Sequence, residues 1–295
     1  MRAVLALDIG GTKVDLGLVG SGGQVLHRHR IPTPKTTDGA ELWAEILAAV
    51  SVVLAEAETA PVACGIGCGG PMDPNGETVS PLNIPGWRRF PLRQVAASAL
   101  DMPVWIDNDA KALALAEGWR GAGQGVDNFI AMVVSTGVGG GIVVDGRLLD
   151  GALGNAGHIG HVNVVPDGRR CACGAYGCLE AEASGTAIAA VTGSAPQYAD
   201  EAVRRRCGTL VGRAVADAVS LLDIGLAVVA GSVALGFGRP FFAAAQQELN
   251  DRAQLSFARG ARIEPARLGP DAPLIGAAAV AWRALGSVTV LSGDL

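Results

Sequence analysis

Short apolar runs separated by glycine-rich turns dominate the first part of the chain. Residues 4–7, 14–19 and 25–31 are apolar-rich and flank the turns "DIGGTK" and "GSGGQ", which predicts a three-stranded antiparallel meander. From residue 38 to 57, apolar side chains recur with a helical period, so a helix is predicted there. "VACGIGCGG" then predicts a buried strand that ends in glycines.

The remaining pattern alternates between the two kinds of element. "PVWI" predicts a short strand that leads into a helix starting near Asp109, and "NFIAMVV", "STGVGGG" and "IVVDGRLL" predict a strand, a turn and a returning strand. Strands and helices mixed in this way indicate an α/β protein. Further helices are predicted over residues 185–191, 207–222, 239–253 and 274–284, and further strands over 226–231 and 261–266.

The chain contains an internal echo. "LALDIGGTKVDLGLV" and "MVVSTGVGGGIVVDG" share one form, in which an apolar strand, a glycine-rich turn and a second apolar strand follow one another. Two such hairpins suggest two similar half-domains that face a cleft. The alternative is two unrelated hairpins.

Composition narrows the class of protein. The chain has 295 residues, of which 49% are hydrophobic, enough for one large domain or two medium ones. A net charge of −5 argues against a nucleic-acid partner. The longest uncharged apolar stretch, residues 224–238, is shorter than the roughly 20 residues that a spanning helix needs. With no signal-peptide pattern at its start, we expect a cytoplasmic protein without a membrane partner.

Both glycine-rich turns could hold phosphate. Successive backbone N–H groups in such a turn can converge on an anion, and no side chain blocks the approach. Asp8 could hold Mg²⁺ directly or through water. Neither turn matches the P-loop pattern, which must open a helix. The candidate phosphate-binding residues are Gly10, Gly11, Thr12 and Lys13 in the first turn, and Thr136, Gly137 and Gly139 in the second.

The segment "IDNDAKALALAEG" delivers two polar residues to the start of a predicted helix. Asp109 there has two interpretations. It could be the helix N-cap, a common role for Asp, which the motif taken alone favours. It could also be a general base that takes a proton from a substrate hydroxyl.

A cysteine-rich segment predicts a structural metal site. Cys171, Cys173 and Cys178 follow a C-x-C-x₄-C pattern, and His161 precedes them. One His and three Cys can form a closed tetrahedral zinc site, and the alternative is that these are free thiols. The remaining residues, Cys64, Cys68 and Cys207, are expected in the core.

Together, "DIGGTK", "DNDAKALALAE", "STGVGGG", "GHIGH" and "CACGAYGCLEAEASG" resemble the ROK family over nearly the whole chain. The resemblance implies a two-lobed, actin-like and hexokinase-like ATPase fold with duplicated β-sheet cores and an interdomain cleft. The small lobe would span residues 1–110 and the large lobe residues 111–295, with the last helix packing back on the small lobe. It also implies an ATP-dependent sugar kinase that uses Mg²⁺, carries structural zinc and forms a homodimer.

The resemblance assigns roles to individual residues. Asp109 matches the catalytic base, and His161 matches a residue that binds zinc through one ring nitrogen and sugar through the other. "VVAGSVA" resembles the adenosine-side motif, with Ala230 in place of its first glycine, which leaves Gly231 and Ser232 for the nucleotide. Gly10, Gly11, Thr12, Lys13, Thr136 and Gly137 match ATP-phosphate contacts, and Gly70, Asn83, Asn108, His158 and Glu180 match positions of the sugar pocket.

His158 departs from the family's glucokinases, which typically carry Glu at this position. Loss of a carboxylate should weaken glucose binding, because a polar site that fails to pair its substrate's hydroxyls is penalised. "AGHIGH" resembles bacterial N-acetylmannosamine kinases, whereas "NIPGWRRFPL" is closer to the glucokinases. The expected activity is glucokinase-like transfer of the γ-phosphate to the 6-hydroxyl of a hexose, with N-acetylmannosamine as the alternative substrate.

Two other functions compete with catalysis. ROK repressors carry a DNA-binding segment before the first glycine turn, and because "DIGGTK" starts at residue 8 we expect no such segment here. A sugar sensor without catalysis is the remaining possibility, and the retained Asp109 argues against it.

Overall fold

The computed structural model describes residues 2–287. Residue 1 of the predicted small lobe and residues 288–295 of the predicted large lobe lie outside the described part. The chain forms two compact units. One runs to Arg120 and adds Asp150–Ala156 and the segment from Leu268 onward, and the other comprises Gly121–Leu149 and Gly157–Arg267. The structure therefore groups residues 111–120 and the last helix with the first unit, whereas the boundary predicted from the sequence lies at residue 110.

The strands and helices alternate as an α/β chain should. In chain order, the strands are β1 (Ala3–Ile9), β2 (Lys13–Gly20), β3 (Val25–Pro32), β4 (Cys64–Cys68), β5 (Val104–Asn108), β6 (Phe129–Val134), β7 (Val138–Val144), β8 (Arg147–Leu148), β9 (Leu226–Ala230) and β10 (Arg262–Pro265). The helices are α1 (Gly39–Ala55), α2 (Leu92–Leu100), α3 (Asp109–Arg120), α4 (Leu179–Ala183), α5 (Gly185–Thr192), α6 (Glu201–Leu222), α7 (Ser232–Phe237), α8 (Arg239–Arg252) and α9 (Ala272–Ala284).

The two units are built on sheets of the same topology. The first sheet has the order β3-β2-β1-β4-β5, and the second has the order β8-β7-β6-β9-β10. In each, the first three strands pair antiparallel and the last two run parallel to the first strand of the meander. This shared pattern confirms the duplicated sheet core that the echoed hairpins predicted.

In the first unit, α9 packs on β1 and β4 at very short range. A Cβ added at Gly65 of β4 would lie 2.0 Å from the carbonyl oxygen of Ala277, so only a bare backbone lets this helix seat on the strand. Ala277, Ala281 and Trp282 of α9 are fully buried. The last helix is therefore part of the first core, alongside α1, whose N-terminus is capped by the Asp38 side chain.

The second unit shows where sequence patterns mislead. The returning strand β7 already begins at Val138, so Gly139 pairs with Val133 inside the sheet and the turn is shorter than "STGVGGG" suggested. Helix α6 begins at Glu201, earlier than the predicted 207, because the Asp200 side chain caps it by accepting the Val203 N–H. Within residues 2–287, no helix has the length and apolar character needed to cross a bilayer.

Candidate functional site

The first glycine-rich turn is fixed from one side by Thr33. The Gly10 N–H donates to the Lys13 carbonyl at 3.0 Å, and the Thr33 hydroxyl donates to the Gly10 carbonyl at 2.6 Å. The Thr33 N–H also donates to the Thr12 carbonyl at 3.1 Å. Gly11, Thr12 and Lys13 remain exposed. The sequence analysis missed Thr33, since a Thr in "IPTPK" carries no signal of its own.

Asn83 lies directly against this turn. A Cβ added at Gly11 would come within 2.4 Å of the Asn83 Cβ, so the second glycine of the turn is required by packing as well as by any ligand. Gly11, Thr12 and Asn83, with residues 32–37, line a cavity of about 640 Å³. Gly70 follows β4 in the same unit and is half-buried.

Asp8 on β1 and Asp109 at the start of α3 both approach the bare backbone of Gly67 on β4. A Cβ at Gly67 would contact the Asp8 Oδ1 at 3.4 Å and the Asp109 Cα at 3.8 Å. Burial, together with the charges of Asp109 and Asp15, raises the pKa of Asp8 to about 7, although Lys13 and Arg30 oppose the shift. Without a bound cation, the Asp8 carboxyl therefore loses its proton at a higher pH than an ordinary aspartate does. This pairing also escaped the sequence analysis, because Gly67 reads as an ordinary strand residue.

Asn108 occupies the N-cap position of α3. Its Oδ1 accepts the Ala110 N–H at 3.0 Å from the position before the first helical residue. Asp109 is the first residue of the helix, is exposed, and accepts the same N–H through Oδ1 at 2.8 Å. Because Asn108 already occupies the N-cap position, the helix does not need Asp109 as its N-cap residue.

In the second unit, the turn between β6 and β7 holds Glu180. The Val138 N–H donates to Glu180 Oε2 at 2.9 Å, while the Gly185 N–H donates to the Ser135 carbonyl at 2.7 Å. Ser135 also hydrogen-bonds through its hydroxyl to Ser232 at 2.9 Å. Gly231 precedes Ser232 and is half-buried, and Thr136 is exposed at the tip of the turn. The turn, Ser232 and Glu180 are thus brought together.

His161, Cys171, Cys173 and Cys178 form one cluster, with all four potential ligand atoms within 4.8 Å of one another. The Cys171 Sγ lies 3.6 Å from the His161 Nδ1, and the Cys173 and Cys178 sulfurs are 3.7 Å apart. These separations suit a tetrahedron around zinc, whose bonds are about 2.3 Å to sulfur and about 2.0 Å to nitrogen. The donor set and its spacing therefore fit Zn²⁺.

The loop that carries these cysteines has a second, ionic anchor. Glu182, almost fully buried, accepts from the Arg169 N–H at 2.6 Å and pairs with the guanidinium groups of Arg169 at 3.0 Å and Arg206 at 2.6 Å. Burial would raise the pKa of Glu182, but these donors outweigh it and hold the pKa below its ordinary value. This anchor was not predicted, because "LEAEAS" has the pattern of a solvated helix face.

His158 begins a short 3₁₀ segment, Ile159–His161, and is exposed. Its ring centroid lies 6.1 Å from that of His161. The His161 N–H donates to the His158 carbonyl at 3.0 Å. The two histidines of "GHIGH" therefore stand side by side, one free to meet a ligand and the other beside the cysteine cluster.

Comparisons with known proteins agree with this architecture. A family model described as "ROK family" matches residues 4–284. An N-acetylmannosamine kinase of Pasteurella multocida is 36% identical over 93% of this chain and 94% of its own. A glucokinase of Halalkalibacterium halodurans is 40% identical over 64% of this chain, and the match spans 59% of that protein, less than two thirds of it.

A solved structure adds a liganded relative. The ROK family glucokinase from Streptomyces griseus, in complex with glucose and AMPPNP, superposes with a TM-score of 0.81 at 32% identity, over 94% of this chain and 98% of that chain. The family match, the identities and the duplicated five-stranded sheets lead to one conclusion: this chain belongs to the ROK family.

Proposed function

We propose that the protein is an ATP-dependent hexose kinase that transfers the γ-phosphate to the 6-hydroxyl of a glucose-like sugar. The observation that carries this proposal is Asp109, an exposed carboxylate that opens α3 while Asn108 occupies the cap position. An exposed carboxylate on a rigid helix start is suited to orient and deprotonate an attacking hydroxyl. The kinase names of the relatives support it.

In this proposal, Asp109 accepts the proton as the sugar's hydroxyl oxygen attacks the γ-phosphorus. The new O–P bond forms as the bond from that phosphorus to the leaving ADP oxygen breaks. Asp8 would hold Mg²⁺, which neutralises phosphate charge when bound. The backbone of Gly10–Lys13 would contact phosphate in the first unit, and that of Thr136, Gly137 and Gly139 in the second.

The remaining assignments concern the sugar and the metal. Zinc bound through the His161 Nδ1 would leave its other ring nitrogen for a sugar hydroxyl, which fixes the tautomer. Glu180 would accept hydrogen bonds from the sugar. Gly70, Asn83 and Asn108 are proposed as further sugar contacts, and Gly231 and Ser232 as adenosine contacts. The homodimer implied by the resemblance and the cytoplasmic location expected from the sequence both stay predictions.

The base assignment is tested with Asp109→Asn in a coupled assay of ADP release. Turnover should fall by at least about 10²-fold, the low end for a positioned acid–base group. Sugar affinity measured by calorimetry should stay within a few-fold. Turnover that survives the substitution would overturn the role of Asp109.

A second candidate substrate, N-acetylmannosamine, is favoured by His158. The imidazole N–H could donate to an acetamido carbonyl, which the Glu of the family's glucokinases could not do. Glucose, mannose, N-acetylmannosamine and N-acetylglucosamine should be compared side by side. His158→Glu should raise kcat/KM for glucose by about 10-fold relative to the N-acetylated sugars. An unchanged ratio would show that His158 does not set the preference.

A further inference from the structure

The turn between β6 and β7 does more than present its backbone to a nucleotide. Val138, the first residue of β7 after the turn, donates its N–H to Glu180 Oε2 at 2.9 Å. Glu180 sits in α4, the short helix that follows the metal-binding cysteines, and is half-buried. A residue proposed to contact the sugar is therefore held by the turn proposed to contact phosphate.

Gly137 makes room for this bond. A Cβ built on Gly137 would lie 2.8 Å from Glu180 Oε2 and 3.7 Å from Glu180 Cδ, and apart from its two chain neighbours no other residue among 2–287 comes within 4 Å of it. A methyl group there would occupy the place of the carboxylate without touching backbone. Displacing the end of a flexible Glu costs little folding energy, but it moves the carboxylate off the Val138 N–H.

The other bonds of the turn hold its geometry independently of Glu180. The Ser135 N–H donates to the Gly137 carbonyl at 2.9 Å, and the Thr186 hydroxyl donates to the Thr136 carbonyl at 2.9 Å. Together with the bond from Gly185 to Ser135, they fix the direction in which the Val138 N–H points. The turn is thus a rigid support, and Glu180 is the group that it supports.

We propose that Gly137 is a positioning residue for Glu180: its missing side chain admits the carboxylate to the Val138 N–H, which aims Glu180 at the sugar. The inference rests on the proposed role of Glu180 in sugar binding. It gives Gly137 a function that a phosphate-cradle role alone does not include, because it predicts an effect on sugar affinity when no nucleotide is present.

The test is Gly137→Ala, with Thr136→Ala as the matched control on the same turn. Sugar dissociation constants are measured by calorimetry without nucleotide, for whichever sugar the wild type binds. Gly137→Ala should weaken binding about 10- to 100-fold, the range for a lost hydrogen bond to a charged group, with a melting temperature close to that of the wild type. Thr136→Ala, which keeps the backbone of the turn, should leave sugar affinity within two-fold.

A second readout does not depend on the sugar. The amide proton of Val138, followed by NMR and hydrogen exchange in the ligand-free protein, should shift upfield and exchange faster in Gly137→Ala and in Glu180→Ala. In the double variant Gly137→Ala/Glu180→Ala, the chemical shift and exchange rate of the Val138 amide should be the same as in Glu180→Ala alone. Thr136→Ala should leave it unchanged.

The outcomes separate the two proposals. An unchanged Val138 amide in Gly137→Ala overturns the positioning role, whatever the sugar does. A changed amide with sugar affinity within two-fold of wild type also overturns it, because Glu180 would then not be aimed at the sugar. If the wild type binds none of the four hexoses while the amide responds as expected, the proposed function fails and Gly137 still positions Glu180.

Discussion

Replacing Lys111 with Met should destabilise the first unit severely. Lys111 is on α3 and only 3% exposed, and its ammonium lies 2.9 Å from Asp107 Oδ1 and 2.7 Å from Asp150 Oδ1. It also donates to the Gly154 carbonyl at 3.3 Å. Methionine fills a similar volume but leaves two carboxylates without their shared cation.

The two carboxylates contribute unequally to the cost. Asp150 is 55% exposed, so water replaces most of its lost interaction with Lys111. Its part of the loss in the free energy of unfolding is therefore below about 1 kcal/mol. Asp107 is 14% exposed and keeps only the Asn108 N–H, at 2.8 Å. Breaking a buried pair by removing one partner costs about 3–5 kcal/mol. We expect about 3 kcal/mol, or a fall in Tm of roughly 6–12 °C.

The effect should depend on pH with a definite sign. Burial raises the pKa of Asp107 above its ordinary value even though Lys111 opposes this, and losing Lys111 must raise it further. A carboxyl with a raised pKa in the folded state loses stability as pH rises through that pKa. The deficit of Lys111→Met should therefore be larger at pH 8 than at pH 5.

Thermal unfolding of three proteins at both pH values checks this reasoning. The control is the double variant Lys111→Met/Asp107→Asn, which leaves no buried charge and should recover most of the lost Tm, while the Asn side chain can still accept the Asn108 N–H. A loss below about 1 kcal/mol at pH 8, or a double variant no more stable than Lys111→Met, would refute the argument.

Three further predictions follow from the charged and metal-binding groups. Burial would raise the pKa of Asp15, but hydrogen bonds from Arg28 and Arg30 lower it, so Asp15→Asn should cost about 3 kcal/mol at pH 7, and denaturant titrations should show this gap closing below pH 4. Asp8→Asn should abolish turnover yet stabilise the metal-free protein by up to about 4 kcal/mol, at 1.36 kcal/mol per pKa unit, which a higher Tm would show, with the gain growing as pH rises from 3.8 to about 7. Cys173→Ser should lose bound zinc, measured by elemental analysis, and lower the Tm, whereas unchanged metal content would contradict the zinc site.

Much of the architecture could be predicted from local patterns. The first meander was visible because its strands are apolar and its turns are rich in glycine, and the echo of that pattern foretold the second sheet. The limits of the second turn were not visible. Glycine normally signals a turn, yet Gly139 pairs with Val133 in β7, because glycine keeps both its backbone N–H and its C=O and can pair in a sheet like any other non-proline residue.

In the candidate site, too, features set by local sequence were predictable and features set by distant residues were not. The His and Cys cluster was predictable because metal ligands of this kind are few and their spacing is short. The ion pairs that support the site were not, since Lys111 meets Asp150, and Glu182 meets Arg206, across long stretches of sequence. The contact between Gly137 and Glu180 depends on which way one turn faces, which no local pattern reports.

The seating of α9 on β4 has a consequence for how the chain folds as it is made. A ribosome delivers all five strands of the first sheet before residue 109, but the helix that covers β1 and β4 comes only at Ala272–Ala284. The second unit lies almost entirely between these two points, so it can close first while one face of the older sheet waits uncovered. The sheet that is synthesised first is therefore the one whose core is completed last. A circular permutant that places α9 ahead of β1 should shorten the time during which that apolar face is exposed and can misassemble.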